Sequence, residues 1–229
     1  MSRPEEILGR IREALAVPSD AGVKATAGDG IRDVREARKF LPPGGETHAE
    51  RVALFAGLAT KLKSEFQCFP DMTAARNAWL TLSDQEGWAL TGSHRHPLTE
   101  ALLADTPVLW TDDQPATDEL ERVPVGVTAC EALIAQTGSV LVTSRGCGGR
   151  ALSVLPPVHL VIAEAHQLLP DMLAGFDHLR ETYGDQLPSL ISWITGASRT
   201  GDIERILVLG AHGPRRLLVW MIDPGMEGA

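Results

Sequence analysis

Val158-His159-Leu160-Val161-Ile162-Ala163 is apolar at every position but one, and Leu217-Leu218-Val219-Trp220-Met221-Ile222 is apolar throughout. A strand with one wet face alternates apolar and polar residues; an uninterrupted apolar run belongs to a strand covered on both faces, as in a parallel sheet. Between these runs, Leu169, Met172, Leu173, Phe176, Leu179 and Tyr183 recur at helical spacing and line one face of a helix. Buried strands alternating with helices predict an α/β fold: a mostly parallel sheet with helices on both faces.

The rest of the chain extends this pattern. Further strands are expected near Trp88–Leu90 and at Val108–Trp110, Val123–Val127, Ser139–Thr143, Leu190–Ile194 and Ile206–Leu209. Helices are expected over 48–65, opened by a Thr47/Glu50 capping box, and near Met72–Leu82 and Leu98–Ala104. Thr128 and Glu131 have the same capping spacing, which predicts a helix from there to about Gln136 that stops at Gly138. Asp112–Glu119 reads as a polar loop. The closing pair, 206–209 and 217–222, departs from strict alternation. Upstream, residues 2–16 read as a short amphipathic helix with Ser2 and Glu5 at capping spacing, and 17–46 is rich in Gly and Pro. The organisation expected is an N-terminal helix and linker arm over 1–46, then one α/β domain over 47–229.

Composition narrows the function classes. The 229 residues carry a formal net charge of -9, which argues against a general nucleic-acid surface. The longest apolar run falls far short of the roughly 18 residues that span a bilayer. The start of the chain has no apolar signal-peptide core, so a cytoplasmic protein is expected. The three cysteines, Cys68, Cys130 and Cys147, form no C-x-x-C pair. They suit a reducing compartment and are too few for the four thiolates an iron–sulfur cluster usually takes. His94 and His96 are two apart, and His166 and His178 lack matched partners, so metal ligation has little support and no metal is assigned.

Four segments carry polar chemistry. In Gly196-Ala197-Ser198-Arg199-Thr200-Gly201-Asp202-Ile203-Glu204 and Gly210-Ala211-His212-Gly213-Pro214, small and charged residues flank the short apolar run 206–209. Loops of this kind beside a buried strand are where α/β proteins place ligand sites. Arg199 offers a planar fork for a carboxylate or phosphate, Asp202 can orient Arg199 or His212, and His212 can move a proton near neutral pH. Ser198, Thr200 and Gly213 complete this binding set. The plainer reading is two turns, with Ser198 or Thr200 as a cap and Asp202–Arg199 as a structural ion pair. Gln136-Thr137-Gly138-Ser139 offers hydroxyls and backbone N–H groups to an anion, or Gly138 simply ends a helix. Ser144-Arg145-Gly146-Cys147-Gly148-Gly149-Arg150 is glycine-rich between two arginines but lacks a phosphate-loop spacing. His159 reads as a hydrogen-bonded structural histidine.

Taken together, Gly126-Val127-Thr128-Ala129-Cys130, Ala135-Gln136-Thr137-Gly138-Ser139, Leu155-Pro156-Pro157-Val158-His159 and the two segments over 196–204 and 210–214 resemble, in order and spacing, the lactate-utilization protein C family of LUD-domain proteins. The similarity covers roughly 120–222, with a looser fit from about 47. The resemblance implies a fold like that of the NagB/RpiA/CoA-transferase group. It further implies a component of a bacterial iron–sulfur complex that oxidises L-lactate to pyruvate. In such a system the clusters lie in cysteine-rich and iron–sulfur partner proteins, and this chain needs no cofactor of its own. The chain departs from the family pattern at Gln136, where a glutamate is common, and an amide can act as neither base nor nucleophile. It also has Cys147 or Gly148 where an asparagine is common. Two other functions fit the residues: a stand-alone enzyme binding a phosphorylated sugar or a CoA-type ligand, and a non-catalytic assembly or regulatory subunit.

Overall fold

The computed structural model describes residues 41–203, 206–209 and 213–225. The expected helix over 2–16 lies outside these residues, as does His212. Helices α1 (His48–Lys61), α2 (Met72–Glu86), α3 (Pro97–Leu102), α4 (Thr117–Arg122) and α5 (Met172–Tyr183) alternate with strands. The strands are β1 (Glu65–Phe69), β2 (Thr91–Ser93), β3 (Val108–Trp110), β4 (Val125–Thr128), β5 (Ala132–Ile134), β6 (Ser139–Thr143), β7 (Val158–Glu164), β8 (Leu168–Leu169), β9 (Ile191–Ile194), β10 (Arg199–Ile203), β11 (Ile206–Leu209) and β12 (Arg216–Ile222).

The main sheet has six strands in the order β1-β12-β7-β4-β2-β3. All of its pairings are parallel, with Leu218 opposite Leu160 and Val127 opposite Leu160 across the centre. The apolar runs 158–163 and 217–222 are thus adjacent inner strands. The even-numbered side of β12 and β7 (Leu218, Trp220, Ile222, Leu160, Ile162) packs on Ala75 and Trp79 of α2 and Leu102 of α3. The other side (Leu217, Val219, Met221, Val161, Ala163) packs on Phe55 and Ala59 of α1 and on Leu133, Val140 and Val142. Those last three belong to a second sheet, β8-β5-β6-β9. Its outer face, through Ala132, Ile134 and Leu141, is covered by Leu179 of α5. Helices do cover both sides, but one cover is shared between α1 and this smaller sheet.

That sheet corrects the helix expected over 128–136. Ala132, Leu133 and Ile134 are all fully buried, which a helix with a polar face cannot achieve but a strand between two layers can. Gly138, at φ 65°, reverses the chain and donates its N–H to the Ile134 carbonyl at 2.9 Å, so β6 returns antiparallel to β5. The Thr128/Glu131 spacing caps nothing: Thr128 reaches His159 and Glu131 reaches Tyr183. The Thr47/Glu50 box, by contrast, forms reciprocally at the start of α1.

Other departures have similar causes. The strand expected near Trp88–Leu90 lies at Thr91–Ser93, buried although polar, because Gly92 lets Leu152 and Val123 close on the sheet and the Ser93 hydroxyl donates to the Val127 carbonyl. The expected loop over 112–119 is a short turn followed by α4, whose Glu119 carboxylate accepts from the Ala116 N–H. Arg199–Ile203, expected as loop, is a strand. It pairs antiparallel with β11 as a separate two-stranded ribbon, with Arg199 opposite Leu209 and Thr200 opposite Val208. No helix among the described residues is long and apolar enough to cross a membrane.

Candidate functional site

Two of the polar segments singled out from sequence approach each other at one end of the smaller sheet. Gln136, Thr137 and Gly138 form the β5–β6 turn. The Gln136 amide donates to the Pro42 carbonyl, and its backbone N–H donates to the Pro170 carbonyl at 3.0 Å. A side chain on Gly138 would lie 2.8 Å from Leu58, so the turn is wedged against α1. The Ser139 hydroxyl meets that of Thr195 at 2.7 Å. Beyond the bend at Gly196–Ala197, the Ser198 N–H donates to the Pro214 carbonyl at 2.9 Å. Ser198 and Gly213 are therefore neighbours at the foot of the β10–β11 ribbon. Arg199, Thr200 and Asp202 lie along β10.

A different constellation forms at the carboxyl ends of three adjacent parallel strands, the usual place for ligands in open α/β sheets. His94 and His96 follow β2, Cys130 and Glu131 follow β4, and His166 and Gln167 follow β7. All of these but His94 line a cleft of about 260 Å³, joined by Gly146, His178 and Tyr183. Pockets for drug-sized ligands run upward from roughly 300 Å³, so this cleft lies near the lower end of small-molecule sites.

Glu131 is its polar centre. Its carboxylate accepts from the Thr143 hydroxyl at 2.6 Å and the Tyr183 hydroxyl at 2.5 Å, and His178 Nε2 lies 3.7 Å from its other oxygen. Gln167 spans the floor, donating to the Cys130 carbonyl at 2.6 Å and accepting from the Glu164 N–H. Burial and the Glu131 hydrogen bond push the Tyr183 phenol up to about 12. Burial raises the Cys147 thiol to about 12 and Cys130 well above its ordinary value, so neither supplies a thiolate nucleophile near neutral pH. Among the described residues no cluster of histidine, cysteine and acidic side chains can hold a metal ion.

Tyr183 is the only tyrosine, so its ionisation can be followed by phenolate absorbance without ambiguity. The wild-type transition is expected near pH 12, and in Glu131→Gln it falls toward, but not to, the ordinary value of about 10, because burial remains. Identical transitions in the two proteins would remove Glu131 from the hydroxyl's environment.

Behind the cleft lie two buried imidazoles. His159 Nε2 meets the Thr128 hydroxyl at 2.9 Å, as a structural histidine should. Its Nδ1, however, and both nitrogens of His94 are buried without a hydrogen-bond partner among the described residues. Burial lowers both rings to about 4, each also repelled by a second histidine: His96 for His94, and His94 for His159. A histidine whose folded value lies below its unfolded value stabilises the fold fully above the unfolded value, and that contribution fades as pH falls. Urea midpoints are therefore expected to decline between about pH 6.5 and pH 4. A flat profile through that window would show that the rings are not held neutral.

The fold and cleft define an α/β protein with a small polar site at its strand ends. The LUD domain model matches residues 30–222, so the chain belongs to the LUD domain family. Curated relatives include "Lactate utilization protein C" of Halalkalibacterium halodurans, 33% identical over 130 residues, which are 55% of this chain and 56% of that protein. The protein of the same name from Bacillus subtilis is 36% identical over 115 residues, 48% of each chain. The chain thus spans about half the length of the curated relatives it matches. A crystal structure of a DUF162 family protein from Deinococcus radiodurans superposes with a TM-score of 0.63 at 21% identity. The match covers 78% of this chain and 99% of that one and shows the shared fold.

From sequence alone Glu131 reads as a capping residue, the histidines as unmatched ligands and Tyr183 as one position on a helix face, while Gln167 carries no signal. The signal that finds His94, His96, Glu131 and His166 is positional: each follows closely on a buried parallel strand, whereas His178 and Tyr183 come from α5.

Proposed function

We propose that this chain serves lactate utilization, as a component of an iron–sulfur complex that oxidises L-lactate to pyruvate in the bacterial cytoplasm. The observation that carries the reading is the shared name of the relatives at 33–36% identity, joined to family membership over most of the chain. Oxidation takes a hydride equivalent from the substrate carbon and a proton from its hydroxyl. The electrons pass to clusters in cysteine-rich and iron–sulfur partners, since the three cysteines here are too few to hold one. Within this chain Arg199, with Ser198, Thr200 and Gly213, binds the substrate carboxylate, and Gln136, Thr137 and Gly138 supply hydrogen bonds. His212 and Asp202 handle the proton. Residues 1–46 serve as an arm that docks partners onto the domain over 47–229.

Each part has its own test. Arg199→Ala is expected to raise the lactate concentration needed for half-maximal oxidation by at least ten-fold, and full activity at wild-type lactate levels would end the clamp role. Removing residues 1–44 is expected to abolish partner binding in a pull-down, and retention would end the docking role. Tight binding of a sugar phosphate or a CoA ester to the isolated chain would instead favour a stand-alone enzyme.

A further inference from the structure

The cleft at the strand ends is built around one carboxylate with a single satisfied oxygen. The Glu131 side chain is 10% exposed, and both hydrogen bonds it accepts, from the Thr143 and Tyr183 hydroxyls, go to Oε1. Gly146 lets the loop backbone close on the same oxygen, since an added Cβ there would fall 2.1 Å from it. Oε2 accepts no hydrogen bond among the described residues, although Glu131 lines the cleft. Two neutral hydroxyls do not cancel a negative charge, and a buried charge is ordinarily paired. No lysine or arginine pairs with Glu131 among the described residues. Arg145 lies over the Tyr183 ring at 5.9 Å but donates to the Gln186 carbonyl at 2.9 Å. His178 Nε2 is 3.7 Å from Oε2, too far for a hydrogen bond and near enough for one nitrogen atom to sit against both.

We propose that this cleft is a second binding site, for a small primary ammonium compound, with Glu131 as its counter-ion and neutral His178 as its second acceptor. One ammonium N–H donates to Glu131 Oε2. Another donates to His178 Nε2, the ring proton then lying on Nδ1. The Thr143 and Tyr183 hydroxyls hold the carboxylate in position through charge-assisted bonds. His178 is 36% exposed against 10% for Glu131, so the ammonium end lies inward and the rest of the ligand outward, past Leu169. Glu131 repels a carboxylate, so the substrate assigned to Arg199 is not the ligand of this cleft, and the proposal stands without the lactate reading.

Tyr183 is the only tyrosine and donates to Glu131, so its ¹³C-labelled ring reports on this site by NMR. The full chain is titrated at about pH 8, above the ordinary imidazole value, with ethylammonium, tetramethylammonium, ethanol and acetate as probes. Ethylammonium is expected to shift the Tyr183 signal saturably. Tetramethylammonium, charged but without an N–H, should bind at least ten-fold more weakly. Ethanol, with a donor but no charge, should give no saturable shift. Glu131→Gln keeps an oxygen for both hydroxyls and should weaken ethylammonium binding at least ten-fold, with the fold unchanged by circular dichroism. The probe contrasts need no variant, so the proposal can fail even where Glu131→Gln does not fold. No saturable shift with ethylammonium, equal binding of tetramethylammonium, or undiminished binding by Glu131→Gln overturns it. A shift with acetate alone also overturns it, because the imidazoles would then form an anion site.

Discussion

Trp220→Ala should remove a large part of the fold's stability, about 3–5 kcal/mol for an aromatic deleted from a core, against a typical domain total of roughly 5–15 kcal/mol. Trp220 is 2% exposed in β12, second from the sheet edge, and packs on Phe69 at 4.9 Å between ring centroids and on the α2 layer. Its indole Nε1 is buried without a partner among the described residues. Trp220→Phe keeps most of the volume and drops that N–H, so its cost should stay below about 1.5 kcal/mol. The two variants compared by urea unfolding separate cavity formation from the polar penalty. Equal losses would show that the ring's packing is not what the site uses.

Gly126→Ala should be the second severe substitution, and it links the fold to the cleft. Alanine in a strand interior is normally favoured over glycine by about 0.5–1 kcal/mol. Here the added Cβ would lie 2.5 Å from the Leu152 carbonyl oxygen and 3.0 Å from Pro156. Backbone cannot yield as a flexible side-chain tip can, so overpacking of about 1–3 kcal/mol is expected to win. The Ala151–Ser153 turn continues the glycine-rich loop, so lifting it also disturbs Gly148, which packs against the His94 ring. Loss of stability with altered His94 signals is the expected pair of results. A variant as stable as wild type would mean that the turn is free to shift.

Much of the fold was readable because burial leaves a compositional trace. Val158–Ala163, Leu217–Ile222 and Val108–Trp110 are apolar runs, and each is a parallel strand. Thr91-Gly92-Ser93 leaves no such trace, since its burial depends on Leu152 and Val123 arriving from distant parts of the chain. Ala132–Ile134 was hidden by a chance capping spacing upstream, and only the second layer, invisible in a local window, makes it a strand. The cleft was less legible still. Its residues come from the ends of β2, β4 and β7 and from α5, and no spacing rule joins His96, Glu131, His166 and Tyr183. The β5–β6 turn and the ribbon foot were visible as polar punctuation, and the hydroxyl contact between Ser139 and Thr195 connects them in space.

The most direct measurement of the central claim is L-lactate-dependent dye reduction by the assembled complex, with this chain present and then omitted. The account predicts that activity disappears on omission and returns when the chain is added back. Undiminished lactate oxidation without the chain would contradict it.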